Sequence, residues 1–138
     1  MIIRIVSAGL LLMAQLPLAA HASTCGGANP AVTSAVVKSV VPSGKVNQYH
    51  IQGTVTNLGG QGQASNTLQF VDIYEGASQE RLNDRGIPPL QAGQTYQFGY
   101  VWNRALDAGQ NSTTLEFRVR MVQGTNCNPG NAIYKLTF

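Results

Sequence analysis

The sequence predicts an all-β domain, an immunoglobulin-like two-sheet β-sandwich of about seven strands. Apolar and polar residues alternate over short runs, and no long stretch has apolar residues at helical spacing. Gly, Asn and Gln separate these runs. Six or seven such runs in roughly 115 residues, the length left once an export signal is removed, fit one sandwich domain.

The first 22 residues predict an export signal that is cleaved from the chain. Arg4 precedes an apolar stretch at residues 5–18, and Ala20-His21-Ala22 has the small-x-small pattern of a signal-peptidase site. A retained membrane anchor is the alternative, but the stretch is short and interrupted for a membrane span. Cleavage after Ala22 leaves residues 23–138 as a single domain with no membrane insertion.

The charge and histidine content argue against several classes of function. The chain has nine Lys and Arg residues and six Asp and Glu residues, and loss of Arg4 leaves eight basic against six acidic. This surplus is too small to predict nucleic-acid binding. His50 is the only histidine after the signal, and no acid–base partner is evident, so we predict no enzyme. No cofactor or metal site is predicted, because the acidic residues lack calcium-loop spacing.

The first two runs predict a pair of strands. Residues 31–41 are rich in valine and end at a Pro-Ser-Gly turn. Residues 46–56 alternate cleanly and precede a Gly-rich turn. The side chains expected on the core face of this second strand are Tyr49, Ile51, Gly53 and Val55.

The third run, residues 67–74, changes phase. Leu68 and Phe70 follow one alternation, whereas Val71 and Ile73 follow the other. A β-bulge near Phe70, or a strand buried on both faces, accounts for the change. The polar residues 76–89 predict a loop, with a short edge strand around Arg81 as the alternative.

Three further runs, residues 94–102, 113–122 and 132–138, predict the remaining strands. The first carries an aromatic row on one face: Tyr96, Phe98, Tyr100 and Trp102. We expect this row to fill the core, because large aromatic residues dominate small sandwich cores; an exposed platform for stacking sugar rings is the alternative.

Cys25 and Cys127 lie just before the first and the last run, and predict one disulfide in an exported chain. They cannot complete a four-ligand zinc site without neighbouring histidines. In many immunoglobulin-like sandwiches the first strand runs parallel to the last, and we expect parallel pairing of these two strands to bring both cysteines to the same end. Antiparallel pairing would separate them by roughly 20 Å, too far for a disulfide. Two free thiols are the alternative.

Four segments of the chain match successive parts of the sequence pattern of a known domain family. Residues 53–59 read GTVTNLG, residues 68–76 form a strand and turn, residues 89–95 read PLQAGQT before the aromatic row, and residues 115–121 alternate strictly. These segments resemble the V-x-N-x-G turn, the L-x-x-G segment and the adjoining strands of the cell-adhesion-related domain found in bacteria (CARDB). The resemblance implies a seven-stranded sandwich in exported bacterial proteins. It implies no functional residues, because the shared positions are turn and core residues.

The candidate ligand contacts are three cations. Arg118 and Arg120 lie on the outward face of one predicted strand, and Lys135 shares that face if the last two strands form a hairpin. Such a surface suits a sulfated or carboxylated polymer or an acidic partner. An ordinary solvated face, helped by Glu116, is the alternative.

These observations predict a small, exported, non-enzymatic binding module of the bacterial periplasm or cell surface. We expect it to recognise an envelope protein or a polysaccharide through a sheet face or through the loops at residues 58–66 and 103–111. The alternative is a structural subunit that associates with itself or with an envelope complex by edge-strand pairing.

Overall fold

The computed structural model describes residues 25–106 and 112–138. The predicted export signal and residues 107–111 of a predicted loop lie outside these ranges. The described part of the chain contains seven strands: β1 (Pro30–Ser43), β2 (Val46–Asn57), β3 (Leu68–Glu75), β4 (Arg81–Ile87), β5 (Thr95–Ala105), β6 (Thr114–Gln123) and β7 (Ile133–Thr137).

The strands form two antiparallel sheets. Sheet A has the order β1-β2-β5, and sheet B has the order β4-β3-β6-β7. This confirms the predicted all-β sandwich. In the described residues, no helix has the length and apolar character needed to cross a membrane.

The core lies between the two sheets, where the alternating residues of both inner faces meet. The largest fully buried apolar side chains are Phe117, Ile73, Leu90, Leu115, Val55 and Val71. Each contributes about 1.5–3 kcal/mol by burial. Phe98 of β5 packs on Phe117 of β6 with ring centroids 6.0 Å apart. Its ring also covers Gly53, where an added Cβ would lie 2.7 Å from Cε2 of Phe98.

Two predicted loop segments are strands. Residues 81–87 form the whole of β4 at one edge of sheet B, so the loop predicted at residues 76–89 is wrong there, and the alternative of an edge strand around Arg81 is confirmed. The segment looks like a loop because its outward side chains are charged or polar. β5 continues to Ala105, three residues past its predicted end at residue 102.

The phase change in β3 is caused by a buried glutamine. Gln69 faces the core with Val71 and Ile73, and only 1% of its surface is exposed. Its carboxamide is paired with that of Gln63 by two hydrogen bonds of 2.7 Å. Asp72, on the opposite face of β3, is 2% exposed, whereas Phe70 and Tyr74 on that face are only partly buried. The alternative of a strand buried on both faces therefore holds at Asp72 and not along the whole of β3. The register shift against β6 lies between Leu68 and Gln69, close to the predicted bulge.

The Cys25–Cys127 disulfide joins the segment before β1 to the loop before β7, with the two Cα atoms 5.8 Å apart. The backbone N–H of Cys127 donates to the carbonyl of Ala28 at 2.9 Å. β1 and β7 belong to different sheets, so the prediction that they pair directly is wrong. They nevertheless run in the same direction across the core, because Phe138, after β7, contacts Tyr49 beside the far end of β1.

Candidate functional site

Arg120 forms an ion-paired network with carboxylates on the outer face of sheet B. Its Nε lies 2.7 Å from Oδ2 of Asp72, and a second guanidinium nitrogen lies 3.1 Å from Oδ1 of the same residue. Asp84 is 3.6 Å away, and Arg81 lies 3.9 Å from Asp72. The hydrogen bond that Arg120 donates to Asp72 raises the pKa of Arg120. A bidentate pair of this kind occupies the donors that an acidic ligand would use.

The other two candidate cations share a second carboxylate. Arg118 Nε donates to Oε2 of Glu116 at 3.1 Å, and the same guanidinium donates to Gln79. Lys135 Nζ lies 3.7 Å from Oε1 of Glu116, but Lys135 is exposed, so this pair contributes little. The hydrogen bond from Arg118 lowers the pKa of Glu116, so this carboxylate stays ionised at a lower pH than an ordinary glutamate.

Two aromatic rings support these arginines. The guanidinium carbon of Arg118 lies 4.2 Å from the ring centroid of Tyr74, and that of Arg120 lies 4.8 Å from the ring centroid of Phe70. These cation–π interactions are favourable, and they cover the rings of Tyr74 and Phe70 on the outer face of β3.

We call this network the charge ladder: Arg81, Arg118, Arg120, Lys135, Asp72, Asp84 and Glu116. It contains four cations and three carboxylates, so its surplus is one charge. The structure places Arg118, Arg120 and Lys135 on one face, each within 4.0 Å of a carboxylate. Their role as contacts for an acidic ligand stays a prediction, and the charge ladder gives that role little free positive charge.

The outer face of sheet A differs sharply, because the paired residues of β2 and β5 on this face carry neither Asp, Glu, Lys nor Arg. The residues of β2 and β5 on this face are Val46, Gln48, His50, Gln52, Thr54, Thr56, Thr95, Gln97, Gly99, Val101, Asn103 and Ala105. Gln52 donates to Gln97 across the strands at 2.8 Å. His50 lies opposite Val101, so this face offers it no carboxylate partner for acid–base chemistry. Across the described residues, no group of three metal-ligating side chains occurs.

The aromatic row lies mainly in the core, as predicted. Phe98 and Tyr100 are buried, and burial raises the pKa of Tyr100. Trp102 is partly buried and packs against Phe138 with centroids 5.0 Å apart. Tyr96, at the start of β5, is 38% exposed. A sugar-stacking platform of four rings is therefore wrong, because the outer face of β5 carries none of them.

An open cleft of about 380 Å³ lies at the end of the sandwich beside Trp102. Its polar lining includes Glu75, Asn103, Arg104 and Ser112. Arg104 lies over the Trp102 ring with its guanidinium carbon 5.8 Å from the centroid, so one face of the ring is already covered. This arrangement provides little free aromatic surface for a ligand.

The feature that sequence reasoning missed is the open edge, which we define as the free main-chain edge of β1 from Val32 to Ser43. The start of β1 is covered, because Asn126 donates a side-chain hydrogen bond to the carbonyl of Pro30 at 3.1 Å. Beyond Pro30, among the described residues, backbone partners of β1 come from β2 alone. Four valines along the open edge are exposed by 46%, 37%, 45% and 44%: Val36, Val37, Val40 and Val41.

The other sheet edges are shorter, and the edge of β5 has one of its carbonyls capped. β5 has its Gly99 carbonyl capped by Nε of Arg85 at 2.9 Å. β7 has five residues, and β4 has seven, most of them polar or charged. In the described part of the chain, the open edge is therefore the longest strand edge with exposed apolar side chains. Such an edge is a template for pairing with another chain.

Comparisons of the chain with protein-family models, with curated proteins and with solved structures find no match. The resemblance to CARDB domains stays a prediction.

Proposed function

We propose that the chain is a small exported module of the bacterial periplasm or cell surface, which acts by binding and holds an extended segment of protein along the open edge. The observation that carries this proposal is a run of four exposed valines on a strand whose outer main-chain edge is unpaired. In strand addition, main-chain hydrogen bonds provide affinity and alternate side chains provide specificity.

A protein segment fits the surfaces better than an acidic polymer or a sugar. The charge ladder pairs Arg118 and Arg120 with carboxylates of the same sheet. The rings of Phe98 and Tyr100 are buried and are not free to stack on a sugar. In the described part of the chain, β1 offers main-chain donors and acceptors with flanking valines, and these match an extended peptide.

Three features restrict which segments can pair with the open edge. Lys38 places one charge in its middle, Pro42 lies near its end, and the register with β2 shifts between Val37 and Ser39. Charges, prolines and bulges at edges limit indiscriminate association. We expect these features to restrict which segments bind rather than to prevent binding, because the valines on both sides of Lys38 remain exposed.

Export is supported by two observations. The Cys25–Cys127 disulfide suits an oxidising compartment. The sequence of residues 1–22 has the pattern of a cleaved signal.

Selection of displayed random peptides of about twelve residues, long enough to span the open edge, tests the proposal. We expect the wild-type protein to enrich peptides with alternating apolar residues. The variant Val36→Lys with Val41→Lys should bind them at least about tenfold more weakly, because binding would bury two unpaired charges beside the apolar side chains of the peptide.

The matched control is Val101→Lys with Val122→Lys, which adds the same charge at valines that are 44% and 55% exposed on other strands. The control should bind like the wild type. The proposal is wrong if no peptide is enriched, or if the enriched peptides bind the edge variant and the control equally.

A further inference from the structure

We infer that the segment held along the open edge is β1 of a second copy of this chain, paired antiparallel about a two-fold axis between Lys38 and Ser39. This inference rests on the proposed function and names its partner. The sequence of β1 around this point, Val-Val-Lys-Ser-Val-Val at residues 36–41, reads nearly the same in both directions. Antiparallel pairing centred there places each of the four valines opposite a valine of the second copy.

The outer face supplies the first matched pair. In the two-fold arrangement Val36 lies opposite Val41 of the second copy. Val36 is opposite Gln52 of β2, and Val41 is opposite Gln48, so both valines belong to the outer face of sheet A. Directly opposed residues in an antiparallel pair lie on the same face, where valine pairs interact favourably.

The inner face supplies the second pair. Val37 lies opposite Val40 of the second copy, and in the structure these valines are opposite Ile51 and Tyr49, which face the core. The match depends on the register shift at Lys38. In an unbulged strand, residues 37 and 40 would point to opposite faces, because side chains alternate with a period of two. The extra residue at the shift restores a common face for both pairs.

The charges and the remaining edges also fit a closed dimer. Lys38 is the single charged residue of β1, and the two-fold axis places it opposite Ser39 of the second copy rather than opposite another lysine. The combined sheet would have the order β5-β2-β1-β1-β2-β5. Its outer edges are the β5 strands, whose Gly99 carbonyl is capped by Arg85. An isologous contact of this kind closes after two copies.

Cysteine cross-linking of the purified protein tests the register. Copies carrying Val36→Cys are mixed with copies carrying Val41→Cys and mildly oxidised, and copies carrying Val37→Cys are mixed with copies carrying Val40→Cys in parallel. Adjacent pairs alternate between hydrogen-bonded and non-hydrogen-bonded positions, so the two mixtures cover both geometries. Val101→Cys is the control at a comparably exposed valine on β5.

We expect at least one mixture to give about tenfold more disulfide dimer than either of its variants alone. In the two-fold arrangement the two copies of position 36 are about 17 Å apart, beyond the reach of a disulfide, whereas positions 36 and 41 are directly opposed. Sedimentation equilibrium of the wild type should show a monomer–dimer equilibrium, which Val36→Lys with Val41→Lys shifts to monomer.

Three outcomes overturn the inference. Equal cross-linking of a single variant and its mixture would mean a different register. The wild type could also stay monomeric up to about 1 mM, where even a dimer with a Kd of about 1 mM would be detected, and still bind extended peptides. That result would exclude the second copy as the partner but leave the proposed strand binding intact. A monomer that binds neither peptide nor itself along β1 would exclude the proposed function as well.

Discussion

Replacing both cysteines, as Cys25→Ser with Cys127→Ser, should lower the free energy of unfolding by about 4 kcal/mol. The disulfide closes a loop with a sequence separation of 102 residues, which is nearly the whole described domain. Without it, the unfolded chain gains the conformational freedom that the cross-link removes, and the native state gains nothing in return. Urea denaturation of the double variant and the wild type measures the difference.

The loss should reflect the cross-link rather than the serine side chains. Cys25→Ala with Cys127→Ala, and the wild type unfolded under reducing conditions, are therefore expected to show the same decrease. A decrease below about 1 kcal/mol in all three would contradict a structural role for this bridge.

Asn57→Ala should destabilise the domain by about 4 kcal/mol, since it leaves several buried main-chain groups without partners. The Asn57 side chain is fully buried. Its Oδ1 accepts hydrogen bonds from the N–H groups of Asn29 at 2.9 Å and Gly59 at 3.0 Å. Its Nδ2 donates to the carbonyls of Gln61 at 2.8 Å and Leu90 at 3.2 Å. One carboxamide thus connects β1, the turn after β2 and the segment before β5.

Thr56→Ala is the matched control for this change. Thr56 precedes Asn57 on the opposite, exposed face of β2, where its hydroxyl lies 2.9 Å from that of Thr33. Loss of this exposed contact should cost less than about 1 kcal/mol. If chemical denaturation gives Asn57→Ala and Thr56→Ala similar stabilities, the carboxamide does not stabilise the fold as described.

Local pattern was sufficient to predict elements whose two faces differ in polarity. The alternation in β2 predicted Ile51 and Val55 in the core, and both are buried. The V-x-N-x-G pattern also includes Asn57, which is fully buried, and Gly59, which lies close to the backbone of residues 27–29. An added Cβ at Gly59 would lie 2.7 Å from the backbone nitrogen of Asn29 and would collide with the carbonyl oxygen of Gly27.

Contacts between distant residues could not be predicted from local pattern. Arg120 and Asp72 are 48 residues apart, and nothing near either residue indicates that they pair. The same limit hid β4, whose polar outward side chains are stabilised by neighbours on β3 and β6. A run of charged and amide side chains without regular apolar alternation, as in β4, indicates a loop until its partners across the sheet are known.

The open edge illustrates this limit most clearly. The valine-rich sequence of β1 is typical of a buried strand, yet the strand lies at the edge of sheet A with four exposed valines. The near-symmetry of residues 36–41 is visible in the sequence. It has structural meaning only once the register shift at Lys38 shows which valines share a face.

Amide hydrogen exchange along β1 tests the central claim, that the open edge is the binding surface, most directly. Exchange is measured by NMR or mass spectrometry at about 10 µM and at about 1 mM protein. We predict that amides in residues 34–43 become more protected at the higher concentration while those of β4 and β7 do not change. Identical exchange of residues 34–43 at both concentrations, and also in the presence of peptides selected on the protein, would contradict the claim.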